Sequence, residues 1–210
     1  MRIVLLVSCS LLVTGCGDNG GINTVSAKPP PAWQTIIRVP DRKRLAGLWT
    51  AWTRALNEAD KAGMGTSVAA LGDMAVADAA HPGPMPVPGQ FQCRRVKLGN
   101  RDDGTIRPAA PAMMAMPASP CSISRKSGVL AFDHTSGGQR IAGNLYPDGD
   151  RMVFLGSMAL AGETGVRAYG ADGDRDQVGV LRNIGENRWR LELPWPMWQS
   201  NLDVIEIVAG

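Results

Sequence analysis

The stretch QRIAGNLYPDGDRMVFLGSM, Gln139 to Met158, decides the fold. Two apolar-rich segments, Gln139–Tyr146 and Met152–Met158, flank Pro147-Asp148-Gly149-Asp150, whose residue types favour a tight turn. Strands joined by so few residues must be antiparallel neighbours. The same texture continues in both directions. Upstream lie candidate strands Gln90–Leu98, Ser119–Lys126 and Val129–His134, punctuated by Lys126-Ser127-Gly128 and Ser136-Gly137-Gly138. Downstream lie Gln177–Ile184, Arg188–Leu193 and Leu202–Val208, with Gly185-Glu186-Asn187 between the first two. Eight strands with such short turns predict a meander, which hides its apolar face by closing into a small barrel or by taking a helix across it.

The helix comes first in the chain. Pro40-Asp41 marks a start with Asp41 as N-cap, and Leu45, Leu48, Trp49, Trp52, Leu56 and Ala59 form one apolar stripe. Lys61 and Gly63 close it, predicting a single helix over Asp41–Ala62 whose two Trp rings pack on the sheet. A weaker helix is expected over Thr66–Ala77. His81 to Gly89 holds four Pro and two Gly, a boundary between the helical part and the strands. The expected class is therefore α+β: one or two N-terminal helices (41–77) on a small antiparallel meander sheet or barrel of about eight strands (90–208).

Composition sets the outer limits. The chain has 210 residues, 44% hydrophobic and 20% charged, with four Cys, two His and net charge +3. This excludes a multidomain enzyme, a polytopic membrane protein and a dense disulfide scaffold. Two imidazoles cannot build a three-His zinc site, and so small a charge gives no case for nucleic acid.

The first residues carry an address. Arg2 precedes an apolar run, Ile3 to Val13, too short to span a bilayer, as in an export signal. Val13-Thr14-Gly15-Cys16 then resembles a bacterial lipoprotein box, in which Cys16 is diacylated and becomes the mature N-terminus; the alternative is an ordinary cleaved signal with an incidental Cys. Gly17 after the Cys favours the outer over the inner membrane, by analogy with lipoprotein sorting. The expected organisation is a signal over 1–15, a lipidated flexible tether over 16–32 and a globular domain over 33–210. Cys93 and Cys121 remain after Cys9 is removed and Cys16 is used. In an oxidising compartment they point to one disulfide, with two buried thiols as the alternative.

Chemistry is sparse. Asp172, Asp174 and Asp176 resemble the opening of a calcium loop, yet Gln177 stands where Gly belongs, Asn183 where Glu belongs, and Arg175 sits inside. They are a low-grade metal candidate or a solvated charged turn. Asp133, His134 and Ser136 form no triad, because neighbours on a strand face opposite sides. Asp203 and Glu206 are expected to pair across strands with Arg182, Arg188 or Arg190. Trp195 and Trp198 either plug one end of the barrel or contact a ligand or partner. The 99–118 loop, with Met113, Met114 and Met116, is long enough for function.

Gln139-Arg140, Leu145-Tyr146-Pro147-Asp148, Arg151 to Gly156, Asp174-Arg175-Asp176, Arg188 to Leu191 and Leu202 to Glu206 together resemble a family of exported bacterial proteins. So do Pro40-Asp41-Arg42 and the segment around Cys93, Lys97, Leu98 and Gly99. The family is catalogued only as a domain of unknown function, number 4893. The resemblance implies export, the Cys pair and the helix-then-strands order, and implies nothing about activity.

The expectation is a non-enzymatic envelope lipoprotein without a cofactor. It is held to the periplasmic face of a membrane by its lipid, and binds an envelope protein or a small apolar ligand. The alternative is a carboxylate-dependent, metal-assisted hydrolase or isomerase, with the acidic turns Asp148–Asp150 and Asp172–Asp176 at one rim of the barrel.

Overall fold

The computed structural model describes residues 31–100 and 110–209. The signal over 1–15, Cys16, the tether as far as residue 30 and part of the 99–118 loop lie outside the described residues.

Nine strands form one sheet: β1 Gly89–Leu98, β2 Met113–Ala115, β3 Ser119–Lys126, β4 Val129–His134, β5 Gln139–Asp148, β6 Arg151–Leu160, β7 Asp176–Gly185, β8 Arg188–Pro194 and β9 Leu202–Ala209. Every pairing is antiparallel, in the order β2-β1-β3-β4-β5-β6-β7-β8-β9. Strand β1 also pairs with β9 from Phe91↔Ala209 to Leu98↔Leu202, which closes β1 and β3–β9 into an eight-stranded barrel without free edges. The additional strand β2 pairs beside the last residues of β1, Val96 to Leu98. At three residues it is too short to carry an alternating pattern, so it lies within the 99–118 stretch expected as a loop.

Alternate residues from every strand of the barrel fill its interior, among them Phe91, Ile123, Phe132, Ile141, Phe154, Leu181, Leu191 and Ile205. The expected disulfide is present: Cys93 and Cys121 bridge β1 and β3 within this core, with Cα atoms 5.8 Å apart. Gly143 faces Gly156 across β5 and β6, and a Cβ on either would collide with the opposite backbone and the Phe154 ring. These two glycines make room for that ring.

Among the described residues four helices and a 3₁₀ turn wrap the outside: α1 Trp33–Ile36, α2 Val39–Ala46, α3 Leu48–Lys61, α4 Gly65–Ala69 and the turn Gly72–Ala75. The single helix expected over Asp41–Ala62 is two, broken at Gly47. The Trp195 Nε1–H donates to the Gly47 carbonyl, and a Cβ there would sit 3.0 Å from that nitrogen. Asp41 is no N-cap, since Arg38 holds that place and Pro40 lies in the first turn. Its carboxylate is buried and accepts from Arg44 and, at 2.6 Å, from the Tyr169 hydroxyl. The buried face of α3 is Ala51, Trp52, Ala55 and Ala59, packed over Val96, Leu98, Leu202 and Val204. The alanines at i, i+4 and i+8 let the helix approach the barrel closely, which turns Trp49 to the flank at 62% exposure. The expected packing of Trp49 on the sheet is thereby corrected, while that of Trp52 holds. The helix expected over Thr66–Ala77 stops early because Gly72 takes φ +57°, a left-handed conformation that ends an α-helix.

Arg190 fastens this layer to the barrel. Fully buried, it pairs with Glu192 at 2.8 Å and donates to the carbonyls of Asp73, Val76 and Ala77. Its guanidinium lies 4.7 Å from the Trp52 ring centroid, and the Trp52 indole N–H donates to Glu192. On the other side, α1 packs Trp33 against Tyr146 and Val153, and the Trp33 Nε1–H donates to Asp148 Oδ1 at 3.1 Å.

The two ends of the barrel differ. Residues 127–128, 149–150 and 186–187 make tight turns at one end, which the Pro-rich segment crosses. There Met85 packs on the core and the Pro84 carbonyl accepts from the Trp189 indole N–H. The opposite end carries the longer connections, 99–118, 135–138, 161–175 and 195–201.

Candidate functional site at the open mouth

Inward-facing positions change character toward the open end. Below, β1 contributes Phe91 and Cys93; two and four residues further on, the same face presents Arg95 and Lys97. The strand alternation adds Ser119 from β3, His134 from β4, Gln139 from β5 and Asp203 from β9. Lys97 Nζ donates to Asp203 at 3.0 Å, and Ser200 donates to the same carboxylate. Arg95 reaches Asp203 at 4.0 Å and Gln139 Oε1 at 3.3 Å, both through Nη1.

Above this layer opens a cavity of about 640 Å³. Its polar lining includes Arg95, Lys97, Ser119, His134, Gln139 and Gln199, and its apolar lining Met114, Met116, Pro117 and Leu160. An apolar pocket with a few convergent polar groups is the usual form of a small-molecule site. Arg95 is the unusual member. It is 4% exposed, and its Nε and Nη2 have no hydrogen-bond partner among the described residues. Burial pushes its pKa down, while Asp203 opposes that shift. A buried donor left unpaired costs about 1–3 kcal/mol, and more when charged.

His134 Nε2 lies 2.8 Å from Ser119 Oγ, and its Nδ1 is buried without a partner. Burial first, and then the Arg95 charge, hold its pKa to about 4. The ring is therefore neutral at neutral pH and a weak base. A Ser–His pair active in acyl transfer needs a base titrating near the working pH, and its outer nitrogen held by a third group. Neither condition is met among the described residues, and both side chains line the cavity. Asp133, on the other face of β4, pairs with Lys126.

The acidic turns do not meet. Asp148 and Asp150 lie at the tight-turn end, where Asp148 pairs with Arg151, whereas Asp172, Asp174 and Asp176 lead into β7 at the open end. Asp176 lies opposite Ser157, six residues along β6 from Arg151, the partner of Asp148, so about 20 Å of strand separates the two turns and they share no rim of the kind a two-turn enzyme centre requires. The Asp-rich turn itself diverges. The Asp172 carboxylate accepts from its own loop at the Asp174 N–H. Asp176 is buried, accepts from the Gly170 N–H at 2.8 Å and pairs with Arg38; burial raises its pKa. No group of three or more His, Cys, Asp or Glu among the described residues is placed to hold a metal ion.

Trp195 and Trp198 separate as well. Trp195, at φ +50°, turns to the α2–α3 junction, and Trp198 packs on the barrel core with Arg175 4.8 Å from its ring centroid. Neither lines the mouth cavity, although the adjacent Gln199 does. Glu206 faces outward, pairing with Arg188 at 2.6 Å as expected and also with Arg94. Asp203 faces inward, to Lys97 rather than to the arginines of β7 and β8. Sequence reasoning missed Arg95, Lys97, Ser119 and Gln139. The available signal was charge in phase with Phe91 and Cys93, on the face that alternation assigns to the core.

The fold and mouth define a closed eight-stranded antiparallel barrel with an external helical layer and one open, polar-layered end. The chain belongs to the family described as Domain of unknown function (DUF4893), whose model matches residues 33–207. No curated protein and no solved structure matches the chain.

Proposed function

We propose that this protein is an exported envelope lipoprotein whose barrel holds a small apolar ligand in its open mouth. In this reading Cys16 carries the lipid, residues 17–32 give distance from the bilayer, and the periplasmic face of the outer membrane is the site of action. The observation that carries the ligand is the cavity of about 640 Å³, within the usual range for ligand sites, bounded by three apolar side chains from β2 and its flank and by Leu160. The lipoprotein box and the paired cysteines support the compartment.

The test uses N-phenyl-1-naphthylamine, an uncharged fluorophore that brightens in apolar surroundings. Saturable binding at about one probe per chain is expected, abolished by Leu160→Arg with the melting temperature little changed. Unsaturable fluorescence, or binding equal in the variant, would overturn the cavity as the site.

A further inference from the structure

We infer that the mouth ligand carries a carboxylate, received by the free Nε–Nη2 edge of Arg95. This rests on the ligand-binding reading above and gives that ligand a head group. A guanidinium offers two edges for paired hydrogen bonds. In Arg95, Nη1 is committed to Gln139 and Asp203, while Nε and Nη2, whose N–H groups run side by side, have no partner among the described residues. That edge matches the two oxygens of a carboxylate, with parallel N–H···O bonds. An unpaired guanidinium edge held inside a barrel at 4% exposure is a standing cost that a bound oxyanion removes.

Formal charge narrows the choice of anion. Among the described residues of the polar layer, Arg95 and Lys97 stand against Asp203, with Gln139 and Gln199 neutral beside them, and one positive charge is left over. A carboxylate balances it. A phosphate monoester, at about −1.5 to −2 near neutrality, would leave the layer negative. The apolar wall of Met114, Met116, Pro117 and Leu160 then takes the body of the ligand, so the class is a monocarboxylate on an apolar body.

The experiment displaces bound N-phenyl-1-naphthylamine with dodecanoate, dodecanol or dodecyl phosphate, using the wild-type chain and Arg95→Met. Dodecanoate is expected to compete at least about tenfold more tightly than dodecanol, the worth of a charged hydrogen-bonded pair, and Arg95→Met is expected to erase that preference while probe binding persists. Equal competition by dodecanoate and dodecanol in the wild type would overturn the carboxylate and leave the cavity reading intact. Tighter competition by dodecyl phosphate would likewise overturn it. Failure of the probe itself to bind would remove both readings. Should Arg95→Met fold poorly, Arg95→Lys decides: it keeps the charge and loses the paired edge, and an unreduced preference for dodecanoate there counts against the inference.

Discussion

His134 is neutral in the folded barrel down to about pH 4, because burial and the neighbouring Arg95 guanidinium both oppose a second proton. In the unfolded chain it takes that proton near its ordinary value of 6.5. Between these two values the unfolded state holds more protons, so stability rises with pH across the window and is lost as pH falls through it. The contribution is of order 3 kcal/mol at full extent. Melting temperature is therefore expected to fall between pH 6.5 and 4.5, and to fall less in His134→Gln. Asp176, raised by burial, acts in the opposite sense in the carboxylate range, which is why the comparison with His134→Gln is the informative one. An unchanged slope in that variant would place the titration elsewhere. His134 also shows the limit of reading residues by their sequence neighbours: Ser119, its partner, is brought within reach diagonally by the β3–β4 hairpin and not by proximity to Asp133 or Ser136.

At the scale of elements, the 3₁₀ turn Gly72–Ala75 is held to the barrel by Arg190, by the pairing of Asp73 with Arg188 at 3.5 Å and by the packing of Leu71, Met74 and Ala75. Replacing Arg190 with Met takes the nearer cation from the buried Glu192, leaving it Arg182 at 3.4 Å and the Trp52 indole N–H, and frees the carbonyls at 73, 76 and 77. A loss of about 3–5 kcal/mol is expected, the usual result of removing one member of a buried pair. Hydrogen exchange should quicken first in residues 72–77, and exchange spread evenly over the barrel strands would contradict this role. The strands were readable because turn residues fix both ends of each and alternation fixes the face. The eight predicted strands match to within two residues at either end. Helical breaks were not readable, because their causes are tertiary: Gly47 interrupts α2 and α3 through an indole arriving from residue 195. The buried row of α3 is likewise set by alanines whose small size matters only against a barrel wall.

For the molecule as a whole, closure depends on β1, which shares its two edges among three strands. Its first half pairs with β3, its last residues pair with β2, and Phe91 to Leu98 run beside β9. The Cys93–Cys121 bridge joins β1 to β3 across 28 positions of sequence. On the chain-entropy account a loop of that size is worth about 3–4 kcal/mol. Reduction, or Cys93→Ala with Cys121→Ala, is expected to lower the melting temperature by roughly 6–16 °C on the usual scaling for a domain of this size, and an unchanged melting temperature would show that the barrel closes as firmly without it. The architecture and the cysteine pair were legible in the sequence. The mouth was not, because a ring of inward polar residues from β1, β3, β4, β5 and β9 exists only once the barrel has closed.

The hydrogen bond from Trp33 to Asp148 fixes a direction. Asp148 belongs to the tight-turn end, so the described chain begins beside the sealed base and climbs the wall as α1 and α2. A lipid carried on Cys16, as proposed, would then join the barrel from its base side, with the opening at the far end. A ligand would arrive and depart by way of water or a soluble donor instead of sliding up from the supporting leaflet.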